Sequence, residues 1–167
     1  MEEKPMENID WGLTWTTVQA VSAAVATVVV ILTALYVRHQ LNEARRARYA
    51  QVLDKISIIL SDPKVVTARK VVMKLPDNFD IDLLTEDQKA HIELVTRSFD
   101  NAGFYLWCKL IPEEYVLPEY PGATWHWRKL RHYVEKQRET EGYEARIFFE
   151  LMATQTEKFR KKRNLPV

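Results

Sequence analysis

Glycine is scarce in this chain, with four in 167 residues alongside seven prolines. A sheet built from hairpins needs turn residues every ~8 to 12 positions, so strands are disfavoured and helices expected. The same scarcity removes phosphate-cradling loops. There is no Gly-x-Gly-x-x-Gly, no phosphate loop and no Gly-x-Ser-x-Gly. A single cysteine, Cys108, cannot close an internal disulfide and has no Cys-x-x-Cys partner, so an oxidising compartment is neither required nor excluded. On an apolar helix such a residue packs more often than it reacts. A di-iron bundle would need Glu-x-x-His on two helices, and the nearest approach, Gln88-Lys89-Ala90-His91, has the wrong first ligand. His126 and His132 stand about 240° apart around a helix and cannot share one ion. The expectation is a protein without metal, cofactor or catalytic residues, and not an enzyme.

What the chain does have is an uncharged run at 18–37, VQAVSAAVATVVVILTALYV. At ~1.5 Å per residue, 20 helical residues cover ~30 Å, the thickness of a hydrocarbon core. Ser22, Thr27 and Thr33 are tolerable in lipid because a hydroxyl can bond back to a helix carbonyl, and Gln19 lies near an end. Trp11 and Trp15 before the run and Tyr36 at its close suit the headgroup level. Two other readings are weaker. A buried core helix rarely runs this long without charge. A cleaved secretory signal wants a basic start and a shorter apolar region, whereas here Glu2, Glu3, Glu7 and Asp10 outnumber Lys4, and the only cleavage-like pattern, Ala24-Val25-Ala26, lies mid-run. Arg38, Arg45, Arg46 and Arg48 follow the run, so the C-terminal side is expected in the cytoplasm and the N-terminal tail outside. Small residues at helical spacing, Ala20, Ala24, Thr27 and Ala34 with Ile31, offer a seam for self-association.

Helical periodicity continues through Leu41, Ala44, Tyr49, Val52, Leu53, Ile56 and Ile59 or Leu60, predicting one helix from about Trp15 to Leu60. Asp62-Pro63 opens a second, short helix with Val65, Val66, Arg69, Val72 and Met73 on one face, ended by Pro76. Thr85 to Gln88 reads as a capping box for a long helix. Its stripe is Ile92, Val95, Phe99, Ala102, Leu106 and Leu110, widened by Leu94, Phe104, Trp107 and Ile111, as in the centre of a bundle. PEEYVLPEYPG holds one helical turn within a loop. Trp125 to about Thr140 is helical with Trp127, Leu130 and Val134 inward, Glu141-Gly142 is a joint, and Tyr143, Ile147, Leu151, Gln155 and Phe159 mark the last helix. The expected fold is all-α, an N-terminal transmembrane helix continuing into a cytoplasmic bundle of four or five helices. Its boundaries are a tail at 1–14, a span at 15–37 and a helical domain at 38–167.

Three constellations invite a functional reading. Arg97, Asp100 and Asn101 sit in the otherwise apolar central helix, where Arg69, Arg131 and Glu150 could join them, either as a structural ion-pair network or as a polar pocket. WHWRKLRHY, 125–133, interleaves aromatics and bases, but the aromatic side faces inward, and a nucleic-acid partner is not expected. The basic residues Arg38, Arg45, Arg46 and Arg48, with Lys161, Lys162 and Arg163 of the terminal cluster, could meet anionic lipid at ~1 kcal/mol each, or serve as a topology signal and a solvated end.

The order of these parts, with DPKVVTARKVV, FDNAGFYLWCKLIPEEYV and WRKLRHYVEKQRE, resembles an uncharacterised family of small bacterial single-pass, membrane-anchored helical proteins. The resemblance implies fold and an inner-membrane location, and carries over no active site. The leading functional expectation is an interaction or accessory protein, with lipid and a protein partner or a second copy as its contacts. The alternative is a tethered ligand-sensing module built on the polar cluster.

Overall fold

The computed structural model describes residues 11–166, apart from the side chains at 11–14 and 17; the acidic tail Glu2 to Asp10 and the ring of Trp11 lie outside the described residues. Six α-helices are present and no strand occurs among the described residues. They are α1 (Trp11–Ser61), α2 (Pro63–Lys74), α3 (Glu86–Trp107), α4 (Glu113–Val116), α5 (Gly122–Glu141) and α6 (Ile147–Lys162), with a 3-10 turn at Ile81–Leu83. The chain divides into two compact units, the first ending at Arg46 and the second beginning at Ala47.

In the first unit, α1 is long and apolar enough to cross a membrane, and none of its apolar stretch is buried. Val30 is 66% exposed and Leu32 60%. A branched aliphatic side chain left in water forfeits about 1.5–3 kcal/mol relative to a buried one, so an uncovered run of them needs lipid or a partner. The polar groups inside the run are already satisfied. Ser22, Thr27 and Thr33 donate to the carbonyls of Val18, Ala23 and Val29, each at 2.8 Å. Ala20, Ala24, Thr27, Ile31 and Ala34 are all exposed.

In the second unit, Val52, Ile56 and Leu60 of α1 are buried at four-residue spacing, with Tyr49 and Leu53 packed beside them. The expected face begins too early: Leu41 and Ala44 are exposed. Pro63 disfavours helical backbone at Asp62, which is extended at ψ 129, and α1 ends there. The Asp62 carboxylate then accepts from Lys64 N at 2.7 Å and caps α2. The buried face of α2 is Val65, Ala68 and Val72, whereas Val66 and Arg69 are half-buried and Met73 is exposed. The capping box of α3 is complete, with Gln88 N donating to the Thr85 hydroxyl at 3.2 Å and Thr85 N to Gln88 Oε1 at 3.0 Å.

Ile92, Val95, Phe99, Ala102 and Leu106 bury the stripe of α3, which packs against α2, α5 and α6 and is the centre of the bundle. The helix stops a turn earlier than its apolar pattern. Lys109 turns left-handed at φ 53, its N–H donates to Leu106 O, and Leu110 N donates to Tyr105 O at 3.3 Å, a Schellman closure. Leu110 is thereby left exposed, and so are Phe104 and Trp107, contrary to the expectation that they widen a buried face. Ile111, beyond the turn, is buried.

Helix α5 buries Ala123, Thr124, His126, Leu130 and Val134, with Trp127 half-buried, and Gly142 closes it at φ 99. The buried face of α6 is Phe149, Met152, Ala153 and Thr156. The stripe read from periodicity is a different one: Tyr143 precedes the helix and is exposed, and Ile147, Leu151, Gln155 and Phe159 are half-buried flanks. Helix α6 packs on both α3 and α5, so its centre of burial points between them.

Candidate functional site

The helix junction around the start of α6 gathers five half-buried charged residues, Glu93, Asp100, Arg138, Arg146 and Glu150. Arg146, the residue before α6, adopts a left-handed conformation at φ 56, and no side chain of its own caps the helix. A neighbouring helix supplies the cap. The Asp100 carboxylate on α3 accepts from Phe148 N and Phe149 N, both at 3.0 Å, placing a negative charge at the positive end of α6. One turn later Gly103 lets the α6 backbone pass, for a Cβ there would stand 2.0 Å from Phe148 O. One turn earlier the Arg146 guanidinium pairs with Glu93 and donates to the Thr96 hydroxyl at 3.3 Å. Positions 93, 96, 100 and 103 thus form a single α3 stripe that receives α6.

Helix α5 completes the network. Gln137 donates to Glu93 at 3.2 Å, and Arg138 donates to Glu150 at 2.8 Å and to Ala145 O at 2.9 Å. The Arg138 guanidinium also lies over the rings of Trp127 and Tyr143. Burial pushes the Glu93 carboxyl up, but hydrogen bonds from Arg146 and Gln137 and the charges of Arg146 and Arg97 outweigh it, leaving a net shift below the ordinary value.

The six residues of the expected polar cluster are distributed through this architecture without meeting at one point. Asp100 and Glu150 belong to the junction, each with a partner outside the six. Arg69 on α2 donates to Leu60 O at 2.7 Å. Arg131 is exposed and pairs with Glu135 at 2.7 Å, and Arg97 and Asn101 are exposed. No hydrogen bond or salt bridge among the described residues joins any two of the six. Glu93, Arg138 and Arg146 were not singled out by the sequence pattern: Glu93 borders the apolar stripe of α3 and the two arginines flank the joint between α5 and α6, places where a charge looks like a solvated flank.

In 125–133 the bases have structural partners. Lys129, only 9% exposed, reaches Met73 O and Asp77, Arg128 pairs with Glu157, and His132 packs on Phe79. His126 is buried: its Nδ1 donates to Gly122 O at 2.7 Å, which leaves Nε2 as an acceptor with no partner. Arg38, Arg45, Arg46 and Arg48 are exposed, as are Lys161, Lys162 and Arg163; Lys161 pairs with Glu157 and Arg163 covers the Phe159 ring.

One surface of the second unit has no structural employment. Phe104 and Trp107 on α3 stack on each other, and the half-buried Phe148 on α6 meets the first edge-on and the second at a tilt, with ring centroids 5.3 to 6.1 Å apart. Trp107 is nevertheless 59% exposed and Phe104 43%. Rings already packed against one another lose little further rotamer freedom when a partner covers them.

Comparison with family models, curated proteins and solved structures finds no match to this chain.

Proposed function

We propose that this chain is a single-pass membrane-anchored accessory protein whose helical domain, on the cytoplasmic side, docks onto another protein rather than catalysing a reaction. The observation that carries the reading is the exposed aromatic pair Phe104 and Trp107, backed by the half-buried Phe148 at the α3–α6 junction. Large aromatic side chains presented on a preorganised surface are the usual anchors of protein interfaces. The uncovered apolar run of α1 supports the anchor. The arginines at 38, 45, 46 and 48 support the orientation, and their exposure leaves them available to anionic lipid. The ligand-sensing alternative draws less support, because Asp100 and Glu150 are committed to holding α6.

Photo-crosslinking in cells tests the reading. A benzoylphenylalanine in place of Trp107 should give one discrete adduct, and the same group in place of the exposed Glu139 should not. A self-adduct would make the face an interface between two copies. Identical adduct patterns from both positions would refute docking through this surface.

A further inference from the structure

A second exposed feature of the helical domain is a groove between α2 and the first turns of α5. It is open to solvent and has a volume of ≈ 580 Å³, within the range of small-molecule sites. Its walls follow helical spacing: Arg69, Lys70, Met73 and Lys74 project from α2, and Trp125 and His126 from α5. Met73 is 47% exposed and Trp125 50%, so two large apolar side chains flank the opening without being covered. No acidic residue lines the groove. Lys70 and Lys74 have no ion-pair partner among the described residues, and Arg69 commits one of its five N–H donors to Leu60 O. His126 contributes a neutral ring edge, because its Nδ1–H is fixed on Gly122 O and burial disfavours a second proton.

An apolar cleft with cations on one wall and an aromatic on the other has a defined complement. We infer that the groove binds a small soluble amphiphilic anion, a ring or short chain carrying a carboxylate or phosphate, with the anion between Lys70, Lys74 and Arg69 and the apolar body between Met73 and Trp125. Charge complementarity selects the sign, since three cations face no carboxylate. The apolar walls select an amphiphile over a bare inorganic ion, for which they offer nothing. The size of the cleft favours one ring system over a two-chain lipid. The inference is independent of the aromatic docking face, which lies on α3 and α6.

The probe is 2-naphthyl phosphate, titrated calorimetrically into the full chain held in zwitterionic-lipid nanodiscs, with empty discs subtracted. One saturating equivalent per chain is expected, with inorganic phosphate at least about tenfold weaker. Lys70→Gln with Lys74→Gln should weaken naphthyl phosphate about tenfold or more, and so should Trp125→Ala. All three substitutions are at exposed positions, and circular dichroism verifies that each variant retains its helices. Absence of saturable binding, equal affinity for inorganic phosphate, or unchanged affinity in both variants would overturn the inference. Native mass spectrometry that found a phospholipid retained by the wild type and lost from the double glutamine variant would assign the groove to lipid, and would overturn it as well.

Discussion

His126 is the residue at which composition misleads most. Within WHWRKLRHY it stands between two tryptophans just ahead of Arg128 and Lys129, yet it is 6% exposed and lies 5.3 Å from the Phe99 ring. Burial lowers its proton affinity, with the charges of Arg69 and Lys129 adding to the effect and the Gly122 hydrogen bond opposing it. The unfolded chain therefore takes up this proton before the folded one does. Stability is complete above the ordinary imidazole value of 6.5 and declines as pH falls below it. Thermal unfolding of the full chain in neutral detergent, followed from about pH 7.5 to about pH 5.5, should show this decline, and His126→Phe should flatten it. An equal slope in both proteins would show that another group titrates there. Glu93 acts in a lower window, because its net-depressed carboxyl gives up its contribution only as pH falls below the ordinary 4.5.

The packing of α6 on α3 turns on Gly103. By helix propensity alone, Gly103→Ala would stabilise an isolated α3 by about 1 kcal/mol. In the folded bundle the new methyl would meet Phe148 O at 2.0 Å, and this contact is with backbone that cannot rotate away. Overpacking of this kind costs about 1–3 kcal/mol, which exceeds the propensity gain at its centre, so a net loss of about 1 kcal/mol is expected in urea unfolding, together with a looser edge-to-face contact of Phe148 with Phe104. A stabilised variant would contradict the close approach.

The starts of α2 and α3 were legible in the sequence because Asp62-Pro63 and Thr85 to Gln88 act locally, through backbone amides within a few residues. The buried stripe of α6 was not. Ile147, Leu151 and Phe159 have the right spacing, but a helix lying against two neighbours buries the face between them, and Phe149, Met152 and Ala153 occupy it. The cap on α6 was hidden for a related reason: Asp100 serves amides 48 and 49 residues away, and no local pattern links them. Arg97 and Asp100, three residues apart on one helix, accordingly have different environments, one exposed and the other committed to α6.

At the scale of the whole molecule, an uncovered apolar helix precedes a bundle that exposes aromatic and cationic surfaces, and the proposed anchored topology is open to direct labelling. In a Cys108→Ala background, single cysteines are placed at Asn8 and, separately, at Lys162, and spheroplasts are treated with a membrane-impermeant maleimide before and after permeabilisation. The asymmetry of arginines around the run leads to labelling at position 8 in intact spheroplasts and at position 162 only after permeabilisation, on a chain of full mass in the membrane fraction. Labelling of position 162 in intact spheroplasts would contradict the orientation, and a soluble chain shortened to begin after Ala26 would contradict the anchor itself.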